Sequence, residues 1–184
     1  QIFLGLNPAL FGLAMTIPRI WDAFTDPVMG RISDRSQSRY GRRRPYVFVG
    51  SLAVALTFLT IWMVPQSMGD TGTFLWLTIG SVLFFTAFTV FSVPFNALVY
   101  EQTPDYHERT RIMFYLALFY NIGNLCVNWY VPATNWNGFE NPLGGARWIA
   151  LGLALVVFLG MGILPAIFGK ERFYKVAQSE NKDI

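Results

Sequence analysis

The sequence predicts an all-α membrane protein built as a bundle of five spanning helices, and three observations carry that prediction. Of 184 residues, 53% are hydrophobic and only 14% are charged, against about 25% charged in soluble domains. A soluble core of this size does not hide that much apolar surface. The apolar residues fall into five runs, each near the roughly 17 to 25 residues that a helix needs to cross a bilayer. The basic residues collect in alternate gaps between those runs, which is a topology signal.

The first run covers about residues 2–24 and continues through Val28, Met29 and Ile32 to an end near Ser33. Pro27 does not forbid the continuation, because neighbouring helices and side chains satisfy the carbonyl it frees. Asp22 and Asp26 then lie inside the membrane, in the cytoplasmic half. The second run, residues 47–64, stops at Pro65 before a turn with Gly69, Asp70 and Gly72. The third, residues 74–100, carries Thr86, Thr89 and Ser92 ahead of Pro94. The fourth, about residues 112–131, carries Asn121, Asn124 and Asn128. In the fifth, residues 148–168, Gly152, Gly160 and Gly162 are expected to permit close helix approach. Trp129, Tyr130, Trp136 and Trp148 read as anchors at the outer boundary.

Arg31, Arg35, Arg39, Arg42, Arg43 and Arg44 fall in the first gap, Arg109 and Arg111 in the third, and Lys170, Arg172, Lys175 and Lys182 after the last run. These segments are cytoplasmic by the positive-inside rule. The second gap has no basic residue and the fourth only Arg147, so the chain starts outside and ends inside. Five spans from an outside start predict an earlier helix, making these spans two to six of a larger protein. Residues 1–168 then form a partial N-terminal transmembrane bundle, and residues 169–184 open a central cytoplasmic loop. The first helix and the C-terminal half of the same protein are its expected partners, with the lipid bilayer. The net charge of +3 and pI near 9.2 follow from topology and do not call for nucleic acid. Cys126, the single cysteine, forms no intrachain disulfide and reads as a small packing residue. No phosphate loop, zinc spacing or nucleophile triad supports an ATP-driven pump or an enzyme, and no organic cofactor is implied.

The chemistry concentrates at Arg19, Asp22, Thr25 and Asp26, whose three- and four-residue steps place them on one helix face. A carboxylate deep in hydrocarbon costs about 2.5 to 3.5 kcal/mol on insertion scales, so such groups face a bundle interior and mark an ion or solute path. Asp22 and Asp26 repel at this spacing, so either one holds a proton or a cation sits between them. Sodium, a hard cation that takes oxygen ligands, and the proton both remain open. The plainer alternative is an ion-pair lock between Arg19 and Asp22. On the cytoplasmic side Asp34, Arg35, Arg42 and Arg43, with Glu101 and Arg109 of the next cytoplasmic loop, are candidates for a gate that locks helix ends. The alternative there is a retention signal that binds anionic headgroups. Asn121 and Asn124 share a face and read as solute ligands or as interhelical hydrogen bonds. Ser92 and Asn96 read as cavity residues or as side chains bonded back to their own helix. His107 reads as a solvated loop residue.

Two blocks carry a resemblance. Trp21-Asp22-Ala23-Phe24-Thr25-Asp26-Pro27, with Gly30 and the downstream Arg39-Tyr40-Gly41-Arg42-Arg43-Arg44-Pro45, resembles the second helix and following loop of the glycoside-pentoside-hexuronide cation symporters, the melibiose-permease-like branch of the major facilitator superfamily. Val93-Pro94-Phe95-Asn96-Ala97-Leu98, followed by Glu101, Thr103, Pro104, Asp105, Glu108, Arg109 and Thr110, is similar to that family's fourth helix and next loop. The resemblance implies a major facilitator type bundle of twelve helices and cation-coupled symport of a sugar or glycoside by alternating access. It places the coupling ion, sodium or proton, at Asp22, Thr25, Asp26 and Thr89. Thr25 stands where melibiose carriers have an amide. The galactoside pocket is not reproduced, since Ser92, Asn96 and Ala117 replace an acid, an aromatic platform and an arginine. Arg19, Ser92, Asn96, Asn121 and Asn124 are the expected solute contacts, and a glycoside, pentoside or uronide the expected solute. The same aspartate motif also resembles animal lysophosphatidylcholine symporters, so a lysolipid carrier is the alternative, with a non-transporting membrane sensor or assembly protein behind it. The expected location is multi-pass in the plasma membrane, the inner membrane in a bacterium.

Overall fold

Helix α1 (Pro8–Arg35) starts at Asn7, whose side-chain oxygen accepts a hydrogen bond from the Ala9 N–H at 2.9 Å while Pro8 occupies the first helical position. In the computed structural model the described residues are 7–36, 38, 41–65, 69–101, 103, 105–129, 132–133 and 142–168. The expected cytoplasmic loop 169–184, with its four basic residues, lies outside them, as do Arg39, Tyr130 and Trp136. Helix α1 runs unbroken through Pro18 and Pro27, and its 28 residues reach about 42 Å at 1.5 Å per residue. The continuation past Phe24 is therefore real. Ala14, Pro18, Met29 and Ser33 are its buried residues, at steps of four, eleven and four that keep them on one stripe, turned toward the third helix.

Helices α2 (Arg44–Trp62) and α3 (Asp70–Glu101) pack together most extensively and, among the described residues, are the two long and apolar enough to cross a membrane by length and composition. Val47 and Val54 of α2 meet Ala87 and Phe91 of α3 in one buried cluster. The approach is set by Gly50. A Cβ there would stand 2.7 Å from the backbone of Phe91, closer than real contacts allow. A second cluster of Ala14, Leu77 and Val64 joins α1 to α3 and to the end of α2.

Helix α4 (Tyr106–Val127) starts at Asp105, whose carboxylate accepts the His107 N–H at 2.8 Å, so His107 lies in the first helical turn and not in a loop. Its side chains are almost all exposed, Cys126 among them, so the packing role expected of that cysteine is not met. Trp129 is likewise exposed, as is Trp148 further on. The chain closes with α5 (Pro142–Val156), a π-helical stretch (Val157–Ile163) and the short α6 (Leu164–Phe168), which together lie along α2. Of the three glycines expected to bring helices together, only Gly162 does so. A Cβ there would overlap Ser51 of α2, whereas Gly152 and Gly160 face open space. Arg147 donates from Nη2 to the Val64 carbonyl at 3.1 Å, satisfying backbone just past the end of α2.

Candidate cation and solute site

The seam between α1 and α3 is where the polar residues of the middle of the chain meet. Thr89 is buried, 1% exposed, and its hydroxyl donates to Asp22 Oδ1 at 2.7 Å. A hydroxyl bonded to a charged carboxylate contributes about 1.5 to 3 kcal/mol. The Thr25 and Thr89 hydroxyl oxygens stand 3.4 Å apart, and Thr25 also donates to the Asp22 carbonyl at 3.2 Å. Asp22 and Thr25 are half-buried. Three side-chain oxygens from two helices thus share one point of the seam.

That geometry suits a small hard cation. Oxygen ligands of calcium lie about 2.3 to 2.6 Å from the ion, and two such ligands at right angles are separated by about 3.4 Å. An ion touching Asp22, Thr25 and Thr89 would take the place of the Thr89–Asp22 hydrogen bond, the Thr89 hydroxyl keeping its proton and turning it away from the carboxylate. Among the described residues no group of three or more His, Cys, Asp or Glu side chains gathers, so the donors are carboxylate and hydroxyl oxygens. Asp26, the fourth expected ligand, is exposed one turn further along α1 and makes no hydrogen bond or ion pair with a described residue.

Arg19 is not locked to Asp22. Its guanidinium carbon sits 4.6 Å from the centre of the Phe85 ring on α3, and no ion pair joins it to a described residue. Trp21 crosses the same seam on the other flank, donating its indole N–H to the Thr86 hydroxyl at 3.0 Å. Phe85, Thr89, Ser92 and Asn96 follow one another at four-, three- and four-residue steps and so line one stripe of α3. Ser92 is half-buried and Asn96 exposed on that stripe. Arg19 rests at the Phe85 end of that stripe, and Ser92 and Asn96 follow about 10 and 16 Å further along the helix axis, past Thr89. The structure does not bring Asn121 and Asn124 to that stripe. Their amides donate to the carbonyls of Ala117 at 2.7 Å and Tyr120 at 3.2 Å on their own exposed helix. Phe85 and Trp21 were not singled out from sequence. The i, i+4 step from Phe85 to Thr89 was the available signal.

The expected gate residues divide. Arg43, 7% exposed, reaches Asp34 Oδ1 and Glu101 Oε1, both at 2.6 Å, and Arg42 reaches the same Glu101 oxygen at 2.8 Å. This cluster ties the last turn of α1 and the start of α2 to the end of α3. Arg35 is exposed outside it. Arg109 instead donates to the Tyr100 carbonyl at 2.9 Å and lies over the Tyr100 ring, closing the end of α3. Near it, Thr103 donates to Glu108 at 2.6 Å and holds the turn into α4.

Long apolar helices that set carboxylate and hydroxyl oxygens along a shared seam fit the architecture of a membrane carrier. Residues 2–183 match the MFS/sugar transport protein family, and the chain belongs to it. It is 35% identical over 59% of its length to an uncharacterised symporter of Synechocystis. It is 34% identical over 59% of its length to a sodium-dependent lysophosphatidylcholine symporter of Danio rerio, and 25% identical over 67% to a putative glycoside/cation symporter of Escherichia coli. It covers 21%, 21% and 27% of those relatives' own lengths.

Proposed function

We propose that this chain supplies the coupling-ion site and part of the solute groove of a multi-pass, cation-coupled secondary transporter that moves a sugar or glycoside by alternating access. The observation that carries the reading is the Asp22–Thr89–Thr25 oxygen cluster across the α1–α3 seam. Asp26 joins it as a fourth ligand by a change of side-chain rotamer. An ion held there pulls α1 onto α3, and a solute that prefers the same arrangement binds better when the ion is present. By linkage the ion then binds better when the solute is present. No covalent step is involved. The Asp34–Arg43–Glu101–Arg42 cluster is the breakable contact that holds one access state at the cytoplasmic end, and a bacterial source would place the protein in the inner membrane.

The test is uptake by the full-length protein of a panel of radiolabelled glycosides, pentosides and uronides under imposed sodium, lithium or proton gradients. Asp22→Asn and Asp26→Asn should each abolish ion-stimulated uptake with expression near that of wild type. Ion-driven accumulation persisting in both variants would remove the coupling assignment. Lysophosphatidylcholine belongs in the panel as a second reading, because the relative from Danio rerio carries that solute in its name.

A further inference from the structure

We infer that the Arg19–Phe85 pair is an oxyanion subsite, so that the transported solute carries a carboxylate or a phosphate. The inference rests on the cation-coupled reading above and narrows it to a solute class.

Position comes first. Arg19 lies eleven residues after the start of α1 and sixteen before its end, which places its Cα about 17 Å from one end of the helix and about 24 Å from the other. The hydrocarbon layer is about 30 Å thick. Its side chain is therefore deep in the bilayer, where a charged group is retained at a cost only for a purpose. The cheap way to neutralise it would be the carboxylate one turn away. The structure does not use that route, since Asp22 takes the Thr89 hydroxyl and Arg19 turns to the Phe85 ring.

Orientation follows. The Arg19 guanidinium carbon lies 4.6 Å from the centre of the Phe85 ring, and a guanidinium that stacks on such a ring spends its face there. The five N–H donors radiate within the guanidinium plane and stay available at its edge. Two parallel N–H groups in one plane match the two oxygens of a carboxylate or phosphate, and such bidentate pairs are roughly twice as strong as neutral hydrogen bonds. Further along the same stripe of α3, about 10 Å beyond Phe85, Ser92 offers a hydroxyl to the uncharged part of a bound molecule. The Arg19 side chain itself is exposed.

Charge also explains the coupling. Asp22 and Asp26, three and seven residues from Arg19 on the same face, repel an incoming oxyanion. A cation bound at Asp22 cancels part of that repulsion and leaves the attraction of Arg19 unopposed. Ion and oxyanion therefore raise each other's affinity, as linkage requires. A neutral glycoside would gain nothing electrostatic from the ion.

The test uses the full-length protein in proteoliposomes and two matched probe pairs, methyl β-glucuronide against methyl β-glucoside and lysophosphatidylcholine against monoacylglycerol. Wild type should accumulate the oxyanion member of one pair at least tenfold over its neutral counterpart, and which pair responds identifies the source of the oxyanion. Arg19→Gln should erase that preference, and Arg19→Lys should recover only part of it, since an ammonium lacks the planar fork. Should Arg19→Gln fail to reach the membrane, Phe85→Leu serves in its place, with KM for the oxyanion probe raised about fivefold and Phe85→Tyr restoring it. Accumulation of neither oxyanion, equal use of the neutral glucoside, or an oxyanion preference that survives both Arg19→Gln and Phe85→Leu would overturn the inference. Ion-driven uptake of the neutral glucoside would do so while leaving the coupling reading intact. Oxyanion uptake indifferent to every ion gradient would instead sink the coupling reading, with the subsite still judged by the Arg19 variants.

Discussion

The two faces of α3 are built on opposite principles. Toward α2 it presents Phe84, Ala87 and Phe91, and α2 meets it with Val47, Gly50 and Val54 so closely that a single added carbon at Gly50 would strike backbone. Toward α1 it presents Thr86 and Thr89, and the contact runs through hydrogen bonds to Trp21 and Asp22 and one ring under Arg19. Close-packed apolar surfaces have one good fit and resist sliding. Hydrogen-bonded hydroxyls and carboxylates exchange partners at little cost when an ion supplies the replacement. The α2–α3 seam is thus suited to holding a rigid body together, and the α1–α3 seam to responding.

Substitutions on the two faces sharpen that contrast. The largest effect is expected at Gly50→Val, where overpacking against the Phe91 backbone costs about 3 kcal/mol or more, read as loss of monodisperse protein and a lowered Tm in detergent. Normal yield and Tm would mean that the seam is not close-packed. Arg43→Gln should cost about 2 kcal/mol, because the half-exposed Asp34 loses its partner and Glu101 keeps only Arg42. Limited proteolysis of the segment around residues 36–41 should accelerate in that variant. On the responsive face, Thr89→Val keeps shape but removes a ligand and its bond to Asp22, so Tm should fall by several degrees while the cation concentration for half-maximal uptake rises about tenfold or more, the equivalent of roughly 1.4 kcal/mol per decade. Thr89→Ser should restore most of it. The smallest effect belongs to Trp21→Phe, which removes one hydrogen bond to Thr86 worth about 1 kcal/mol and should shift cation affinity no more than a few-fold.

The helices and their order were legible in sequence because long apolar runs and flanking arginines need no tertiary information. Asp22, Thr25 and Thr89 were legible as a set only through the resemblance, since nothing in the spacing of α1 says which hydroxyl of α3 it will meet. Asp34, Arg43 and Glu101 were legible as gate candidates, but their pairing was not, for a similar reason. A run of arginines at positions 42–44 does not reveal which one is turned inward between two helix ends, and burial selected Arg43. Phe85 carried no signal of its own among the 17 phenylalanines, and only the guanidinium above it gives it a role. Gly162 and Gly152 look alike in sequence. The π-helical turn places the first against Ser51 and leaves the second facing open space.

Cation coupling through Asp22 is tested most directly by separating uphill from downhill transport in one variant. In proteoliposomes holding the full-length protein, solute accumulation is measured under sodium, lithium and proton gradients, and equilibrium solute exchange is measured with no gradient at all. The account predicts that Asp22→Asn retains exchange but accumulates nothing under any of the three gradients. Accumulation against a concentration difference by Asp22→Asn at the wild-type level would contradict it.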